Sequence, residues 1–309
     1  MNLNTMIYEV DGRIARITLN RPKRGNGITM DMPRELAYCV EQADINPDVH
    51  VIALSGNGSG FCGGYDLVAS AEQSLKEGFN SADTEDTVLS ATVQSKNHAP
   101  SETWDPMTDY QMMSRNVKGF MSLFHADKPV VCKVHGFCVA GGTDMALCSD
   151  LLVIEDKAKI GYPPARVWGS PTTALWAHRV GVTRAKRLLF TGDCLSGDEA
   201  LEWGLAVESA AKDTLDEVFE NLVQRIAMMP INQLIMMKKL LNQNIENLGL
   251  SSTQLIGTLF DGVTRHTKEG YEFQQSAAKS GFMQAVKNRD EPYGDFGLQT
   301  SGVIRKKKE

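Results

Sequence analysis

Short strand patterns alternate with helix patterns through the first half of this chain, and that alternation most constrains how it can fold. The chain begins with a hairpin signal around Asp11-Gly12, followed by a helix pattern over residues 31–45 and a strand pattern from Val49 to Leu54. Further strand and helix patterns recur as far as Ile160, and from Pro171 onward nearly every segment has helical spacing. This order predicts an α/β core followed by a helical C-terminal region.

The charge of the chain is concentrated in one acidic window, residues 70–109. The 309 residues carry a formal net charge of −6, and the window alone, with eight acids and two bases, accounts for all of it. Large aliphatic side chains are few in the window, which predicts a mobile excursion from a compact body. The negative balance argues against a nucleic-acid partner bound through phosphate neutralisation.

Several classes of protein are excluded by what the sequence lacks. The longest apolar run, Leu36 to Val40, has five residues, whereas a membrane-spanning helix needs about 20. Because the N-terminus also lacks a signal-peptide pattern, we predict a cytoplasmic protein without a membrane partner. The six cysteines contain no CxxC pair, which predicts reduced core thiols and no metal site. No P-loop, HExxH or GxSxG motif is present.

Two glycine-rich segments, residues 60–67 and 135–146, each end a predicted strand. The second passes directly into a helix, whose first N–H groups have no intrahelical acceptor and lie at the positive end of the helix dipole. If N–H groups from both segments converge on one oxygen atom, they form an oxyanion hole. The alternative is that the glycines only permit tight turns.

The same segments, FCGGYDL and HGFCVAGGTDMA, resemble the signature of the crotonase superfamily, the enoyl-CoA hydratase/isomerase family. Further matching motifs are Asn20-Arg21-Pro22, Lys128-Pro129-Val130 and Leu189-Phe190-Thr191-Gly192-Asp193. The resemblance runs from about residue 6 to 293, interrupted by the acidic window. It implies a ClpP/crotonase-like α/β fold, with a spiral of ββα units over residues 1–195 and a helical trimerisation region over 196–309.

The resemblance also implies an acyl-CoA thioester as the partner, with no metal and no cofactor beyond the CoA of the substrate. By motif position, the oxyanion donors are the N–H groups of Gly63 and Gly141, and the acid/base is Asp144. The implied CoA path is lined by Lys23, Arg24, Gly64, Tyr65, Asp66 and Leu67. Lys23 and Arg24 are alternatively ordinary surface cations, and Asp144 is alternatively a structural acid at a helix start.

The sequence departs from the family pattern at both acid positions of the hydratases. Asp144 stands where the family has a glutamate, and Pro164 stands where it has the second one. We favour enoyl-CoA hydratase-like lyase chemistry. The alternatives are an isomerase, decarboxylase, dehalogenase or thioester hydrolase of the same superfamily, or a non-catalytic acyl-CoA binder. Three side chains lie near the missing acid in the sequence: Tyr162, Arg166 and Trp168. They could supply a phenol, a cation and an apolar wall to the site, or they could serve only in packing.

Two further expectations concern the acidic window and the C-terminal helices. The window interrupts the family pattern after the CoA strip, and its charge would repel CoA phosphates, so we predict a lid or pocket wall on the acyl side. As a lid it could swing Asp105 or Asp109 over the site. Apolar residues at helical spacing between Gly249 and Met283 predict a homotrimer or a dimer of trimers. These residues are Leu250, Leu255, Ile256, Leu259, Phe260 and Val263.

Overall fold

The computed structural model describes residues 1–66 and 87–294, which alternate strands and helices before ending in consecutive helices. The strands are β1 Met6–Asp11, β2 Ile14–Leu19, β3 Val51–Gly56, β4 Val130–Val134, β5 Phe137–Val139, β6 Leu151–Glu155, β7 Lys159–Gly161, β8 Cys194–Leu195 and β9 Glu208–Ala210. The helices are α1 Asp31–Ile45, α2 Ala91–Asn97, α3 Pro106–His125, α4 Gly141–Ala146, α5 Trp176–Val180, α6 Val182–Thr191, α7 Gly197–Glu202, α8 Leu215–Ala227, α9 Ile231–Asn247, α10 Leu250–Arg265, α11 Lys268–Ser280 and α12 Phe282–Asp290. The predicted hairpin and the helix over 31–45 are confirmed.

The main sheet has the strand order β1-β2-β3-β4-β6-β9. Strand β1 pairs antiparallel with β2, and the other pairs in this sheet are parallel. Parallel neighbours require long crossover connections, which the intervening helices supply. A second sheet has the order β5-β7-β8. Because β9 lies beyond residue 195, the strand-bearing core extends past the predicted boundary, and the division into 1–195 and 196–309 stays a prediction.

Both faces of the main sheet are covered, as parallel sheets require. Successive side chains of a strand point to opposite faces, so Ile52 and Leu54 of β3 join the larger hydrophobic core. Val51 and Ala53 of the same strand join a smaller core, where helix α8 contributes Phe219. All six cysteine side chains are buried, as predicted. Within the described ranges, no helix is both long and apolar enough to cross a membrane.

The described part of the acidic window, residues 87–109, packs against the C-terminal helices. His98 and Trp104 stack on the ring of His266, with ring centroids 4.6 and 4.3 Å apart. The Nε2 atom of His266 also lies 3.3 Å from the Asn97 carbonyl oxygen. Residues 87–109 therefore do not extend away from the body as predicted. The window has few aliphatic side chains to bury, but aromatic stacking and polar contacts hold these residues against the C-terminal helices. Residues 70–86 of the window lie outside the described residues.

Candidate active site

Strand pairing brings the two glycine-rich segments together. Cys62 and Cys138 are partners in a parallel bridge. The N–H of Cys62 donates to the Phe137 carbonyl at 3.2 Å, and the N–H of Val139 donates to the Cys62 carbonyl at 3.0 Å. The approach requires glycine at position 64, where φ is +95° and a Cβ atom would lie 2.8 Å from the Ala140 Cβ atom. The segments that follow Cys62 and Val139 therefore lie side by side.

Gly141 presents a free N–H group in this region. It is the first residue of α4, and no acceptor for its N–H is found among the described residues. The preceding residue, Ala140, has φ +55° and ψ −130°, a conformation that costs a residue with a side chain of order 1–3 kcal/mol. Such strain is concentrated at functional sites, where the surrounding structure holds the backbone in place.

The N–H group of Gly63, the predicted second donor, has an acceptor in the structure. The Gly63 N–H is already engaged, because it donates to the Gly25 carbonyl at 2.9 Å. Ile28 pairs with the next segment through two hydrogen bonds: its N–H donates to Gly64 O at 2.8 Å, and its carbonyl accepts from Asp66 N–H at 3.0 Å. In such a parallel bridge the middle residue, Tyr65, directs its own N–H to the opposite side. In the described chain that N–H has no acceptor. Tyr65 and Gly141 thus each present an N–H group without an acceptor among the described residues.

Asp144 lies one turn beyond Gly141 on α4 and is 2% exposed. Its Oδ1 atom accepts hydrogen bonds from the Thr173 N–H at 3.1 Å and the Thr173 Oγ1 at 2.8 Å. Burial raises the pKa of Asp144 to about 7, against the lowering effect of the Thr173 hydrogen bonds. The carboxyl group is therefore positioned by a residue of a different segment and titrates near neutral pH.

This pKa predicts an unusual pH dependence of stability. The pKa of Asp144 is raised in the folded state, so between pH 3.8 and about pH 7 the folded protein keeps a proton that the unfolded chain has released. The folded state therefore loses stability as the pH rises through this range. The Asp144→Asn variant cannot ionise, so its advantage in free energy of unfolding should grow by about 2–3 kcal/mol between pH 5 and pH 8. Urea unfolding of parent and variant at both pH values measures this growth. An advantage that does not change with pH would contradict it.

The predicted CoA-binding residues differ in their exposure and in their partners. Asp66 is buried between Arg21 and Arg24, each with a guanidinium nitrogen 2.9 Å from its carboxylate. Lys23 is exposed in a 3-10 turn beside them. Leu67 lies outside the described residues. The structure therefore brings Arg24 and Asp66 together and leaves Lys23 accessible to an anion.

The residues around Pro164 serve mainly in packing. Arg166, 1% exposed at its side chain, pairs with Asp290 at 2.9 Å and Asp193 at 3.3 Å. Trp168 packs on Phe273 with ring centroids 5.1 Å apart. For these two residues the structural alternative is therefore the better one.

Tyr162 differs from its two neighbours because it borders the site. Its hydroxyl donates to the Ser170 carbonyl at 2.9 Å. Burial, and next the charge of Asp144, raises the pKa of the Tyr162 phenol. The phenol therefore stays neutral under the influence of the Asp144 charge.

Asp105 and Asp109, the two acids of the window that a lid could carry over the site, both have partners within the window or the C-terminal helices. Asp105 caps α3 by accepting from the Met107 N–H at 2.9 Å. Asp109 accepts from Trp104 Nε1 at 2.6 Å and pairs with Arg265 at 3.2 Å. Both carboxylates hold the window in place.

Sequence reasoning missed Asp261, a buried acid of α10. It is 7% exposed, lies 3.2 Å from the Arg265 guanidinium, and influences the pKa of Asp144. The signal in the sequence is a lone acid between the apolar residues Phe260 and Val263. Among the described residues, no group of His, Cys, Asp and Glu is placed to hold a metal ion.

This fold, with two strand-linked backbone segments that face each other, is that of the crotonase superfamily. Its members in solved structures superpose on nearly the whole chain. The chain belongs to the enoyl-CoA hydratase/isomerase family, whose model matches residues 9–98 and 101–282.

Individual relatives agree with this assignment. The crystal structure of an enoyl-CoA hydratase from Mycobacterium smegmatis is 55% identical, with a TM-score of 0.90 over 97% of this chain and 98% of that chain. An enoyl-CoA hydratase/isomerase from Xanthobacter autotrophicus Py2, 23% identical, shares the fold with a TM-score of 0.75 over 94% of this chain and 99% of that chain. Short-chain-enoyl-CoA hydratase of Clostridium acetobutylicum is 26% identical over 73% of this chain and 76% of its own length. The expected family, fold and acyl-CoA-processing enzyme class are confirmed.

Proposed function

We propose that the protein adds water to the double bond of a trans-2-enoyl-CoA. The observation that carries this proposal is the pair of free amides, Tyr65 and Gly141, beside a buried carboxyl group, Asp144, whose pKa is about 7. Polarisation of a thioester carbonyl by two N–H groups makes the β-carbon electrophilic, and it stabilises the enolate that forms when water adds. The substrate partner is then an acyl-CoA, and no cofactor beyond its CoA is needed.

Asp144 is suited to the proton transfer because of its pKa. A general acid or base works best when its pKa is near the operating pH, and Asp144 meets that condition through burial. Its place one turn after Gly141 lets it approach the α-carbon next to the carbonyl that the Gly141 N–H polarises. The N–H groups and the carboxyl would thus act on adjacent atoms of one substrate.

The CoA portion is proposed to approach along Lys23 and Arg24. Lys23 is exposed, and Arg24 keeps a side chain 37% exposed while it pairs with Asp66. Both cations lie in the 3-10 turn that precedes the Gly25 carbonyl, the acceptor of the Gly63 N–H. This position links the cations directly to the backbone of the oxyanion segment.

The test is incubation of the purified protein with a panel of enoyl-CoA and acyl-CoA thioesters, followed by mass spectrometry. A gain of water by at least one trans-2-enoyl-CoA is the expected result. Loss of carbon dioxide, release of free CoA, or a shifted double bond without added water would assign a different chemistry. Tight binding without any turnover would favour the non-catalytic binder that Pro164 also allows.

A homotrimer or a dimer of trimers is proposed for the assembly, because α10 carries an apolar outer face. Its exposed apolar side chains are Leu255, Ile256, Phe260 and Val263, between 43% and 56% exposed. Phe260 and Val263 also line a mainly apolar groove of about 440 Å³. Apolar area of this kind is normally covered by a partner subunit. We expect light scattering at micromolar concentration to give three or six times the 34.0 kDa chain mass; a mass near one chain would rule the trimer out.

A further inference from the structure

Helix α10 is oriented with its polar stripe inward. Gln254, Thr258, Asp261 and Arg265 follow one another at helical spacing on one face. Thr258 and Asp261 are buried at 3% and 7% exposure, whereas the apolar side chains described above face outward. A helix on a protein body normally buries its apolar stripe instead. The apolar stripe is left for the proposed partner subunit, and the polar stripe faces the body of the protein.

The stripe packs against the segment that positions Asp144. Gln254 Nε2 donates to the Thr173 carbonyl at 3.0 Å, and the Ser170 N–H donates to Asp261 Oδ1 at 3.5 Å. The Thr173 N–H donates to Asp144 Oδ1. Asp144 and Asp261 therefore hold opposite ends of the same short segment, residues 170–173, from two different helices.

Both carboxyl groups act on the same two tyrosine side chains. Burial raises the pKa of the Tyr65 phenol, and the charges of Asp144 and Asp261 raise it further. The same three causes, in the same order, act on Tyr162. The Tyr65 ring packs against the start of α4, since a Cβ atom at Gly141 would lie 2.8 Å from Tyr65 Cε2. The carboxyl groups of Asp144 and Asp261 thus act on the same two tyrosine side chains, one of which packs against Gly141.

One oxygen atom of Asp261 is in an ion pair but accepts no hydrogen bond. Oδ2 is buried and has no hydrogen-bond donor among the described residues, although a guanidinium nitrogen of Arg265 lies 3.2 Å away outside hydrogen-bonding geometry. The ion pair with Arg265 compensates the charge of this atom, and a water molecule in the site would supply the hydrogen-bond donor.

We propose that Asp261 is the second carboxyl group of the active site, supplied by the C-terminal helix in place of the acid that Pro164 cannot provide. Asp261 takes a proton from the attacking water, and Asp144 gives a proton to the α-carbon. The inference rests on the proposed hydration and names the residue that completes it.

The environments of the two carboxyl groups divide these roles. Burial raises the pKa of Asp261, and the Asp109 charge adds to this, whereas the Arg265 guanidinium 3.2 Å away favours the carboxylate. Asp144 has hydrogen-bond donors instead of a cation, and burial followed by the charge of Asp261 raises its pKa. Two carboxyls that share a site hold one proton between them. We assign the proton to Asp144 and the negative charge to Asp261, because only Asp261 has a cation beside it.

The proposed step balances in atoms and charge. The Asp261 carboxylate removes one proton from water as the water oxygen bonds to the β-carbon. The π electrons move toward the α-carbon and the thioester oxygen, which the Tyr65 and Gly141 N–H groups stabilise. The enolate then takes the proton of Asp144 at the α-carbon. Asp261 ends protonated and Asp144 ionised, and transfer of one proton from the first to the second restores the enzyme.

The test compares two activities of the full-length protein. One is hydration of the best enoyl-CoA in the panel. The other is exchange of α-protons for deuterium in a saturated acyl-CoA of the same chain length, a reaction that needs Asp144 and the two amides but no attack by water. Asp261→Asn should lower the kcat of hydration by about 10²-fold or more, with KM and α-proton exchange within about threefold of the parent. Asp144→Asn should lose both activities.

Asp109→Asn is the matched control, because Asp109 lies at the same 3.2 Å from the same Arg265 nitrogen. It should keep both activities within about fivefold of the parent. Hydration by Asp261→Asn at the parental rate would overturn the inference. So would a joint loss of hydration and exchange in Asp261→Asn, or an equal loss in Asp109→Asn, since either assigns Asp261 a structural role. A parent that exchanges α-protons but hydrates no enoyl-CoA would instead overturn the proposed function, and this inference with it.

Discussion

Asp144→Asn is expected to lower the kcat for the best substrate by about 10²–10⁴-fold while acyl-CoA binding stays within about threefold of the parent. The amide is nearly isosteric with the carboxyl and can still accept both hydrogen bonds from Thr173. It cannot carry a proton to carbon at neutral pH. Steady-state kinetics combined with calorimetric titration of a saturated acyl-CoA separates the loss of turnover from binding.

The chain offers a close control for this variant. Glu35 is another buried carboxyl, 1% exposed, and it accepts hydrogen bonds from the Thr5 N–H at 2.9 Å and the Thr5 Oγ1 at 2.7 Å. It lies on α1, away from the paired segments. Glu35→Gln should leave kcat within about twofold of the parent. Equal kcat values for Asp144→Asn and the parent would reduce Asp144 to a helix-start residue.

The fold was predictable because its signals are local. Strand and helix periods, the Asp11-Gly12 turn and the glycines that end helices are all read from neighbouring residues. The short strand β9 was not predictable, because its three residues pair with β6 across more than fifty intervening residues. Likewise the packing of residues 87–109 depends on stacking against His266, which sequence spacing does not reveal.

The site was predictable only where one segment determines the geometry. The free N–H of Gly141 follows from its place at the start of a helix, and Asp144 follows one turn later. The choice of the second donor depends on the direction of the N–H groups of Gly63 and Tyr65. Pairing of this segment with Ile28, which lies far earlier in the chain, determines that direction. Asp261 was not predictable because the sequence pattern of α10 indicates that its apolar face is buried, whereas in the structure that face points outward and the face with Asp261 is buried.

Replacing the Tyr65 residue by its α-hydroxy acid, through nonsense suppression, should lower kcat/KM by about 10²–10³-fold. The change turns one amide into an ester, which removes the N–H and keeps the tyrosine side chain. The hydrogen bonds to Ile28 use the carbonyl of Gly64 and the N–H of Asp66, so neither of their donors is deleted. Loss of one oxyanion-hole donor typically has an effect of this size.

The same replacement at Tyr38, in the interior of α1, provides the control. There the ester removes a helical hydrogen bond, which should cost about 1 kcal/mol of stability and leave kcat/KM unchanged. The comparison also tests the corrected assignment, because a hole built on the Gly63 N–H would tolerate the ester at Tyr65. A Tyr65 ester with parental kcat/KM would therefore return the second donor to Gly63, whose N–H would then have to leave the Gly25 carbonyl when substrate binds. Such an exchange breaks a 2.9 Å hydrogen bond at each turnover, whereas the Tyr65 N–H needs no such rearrangement.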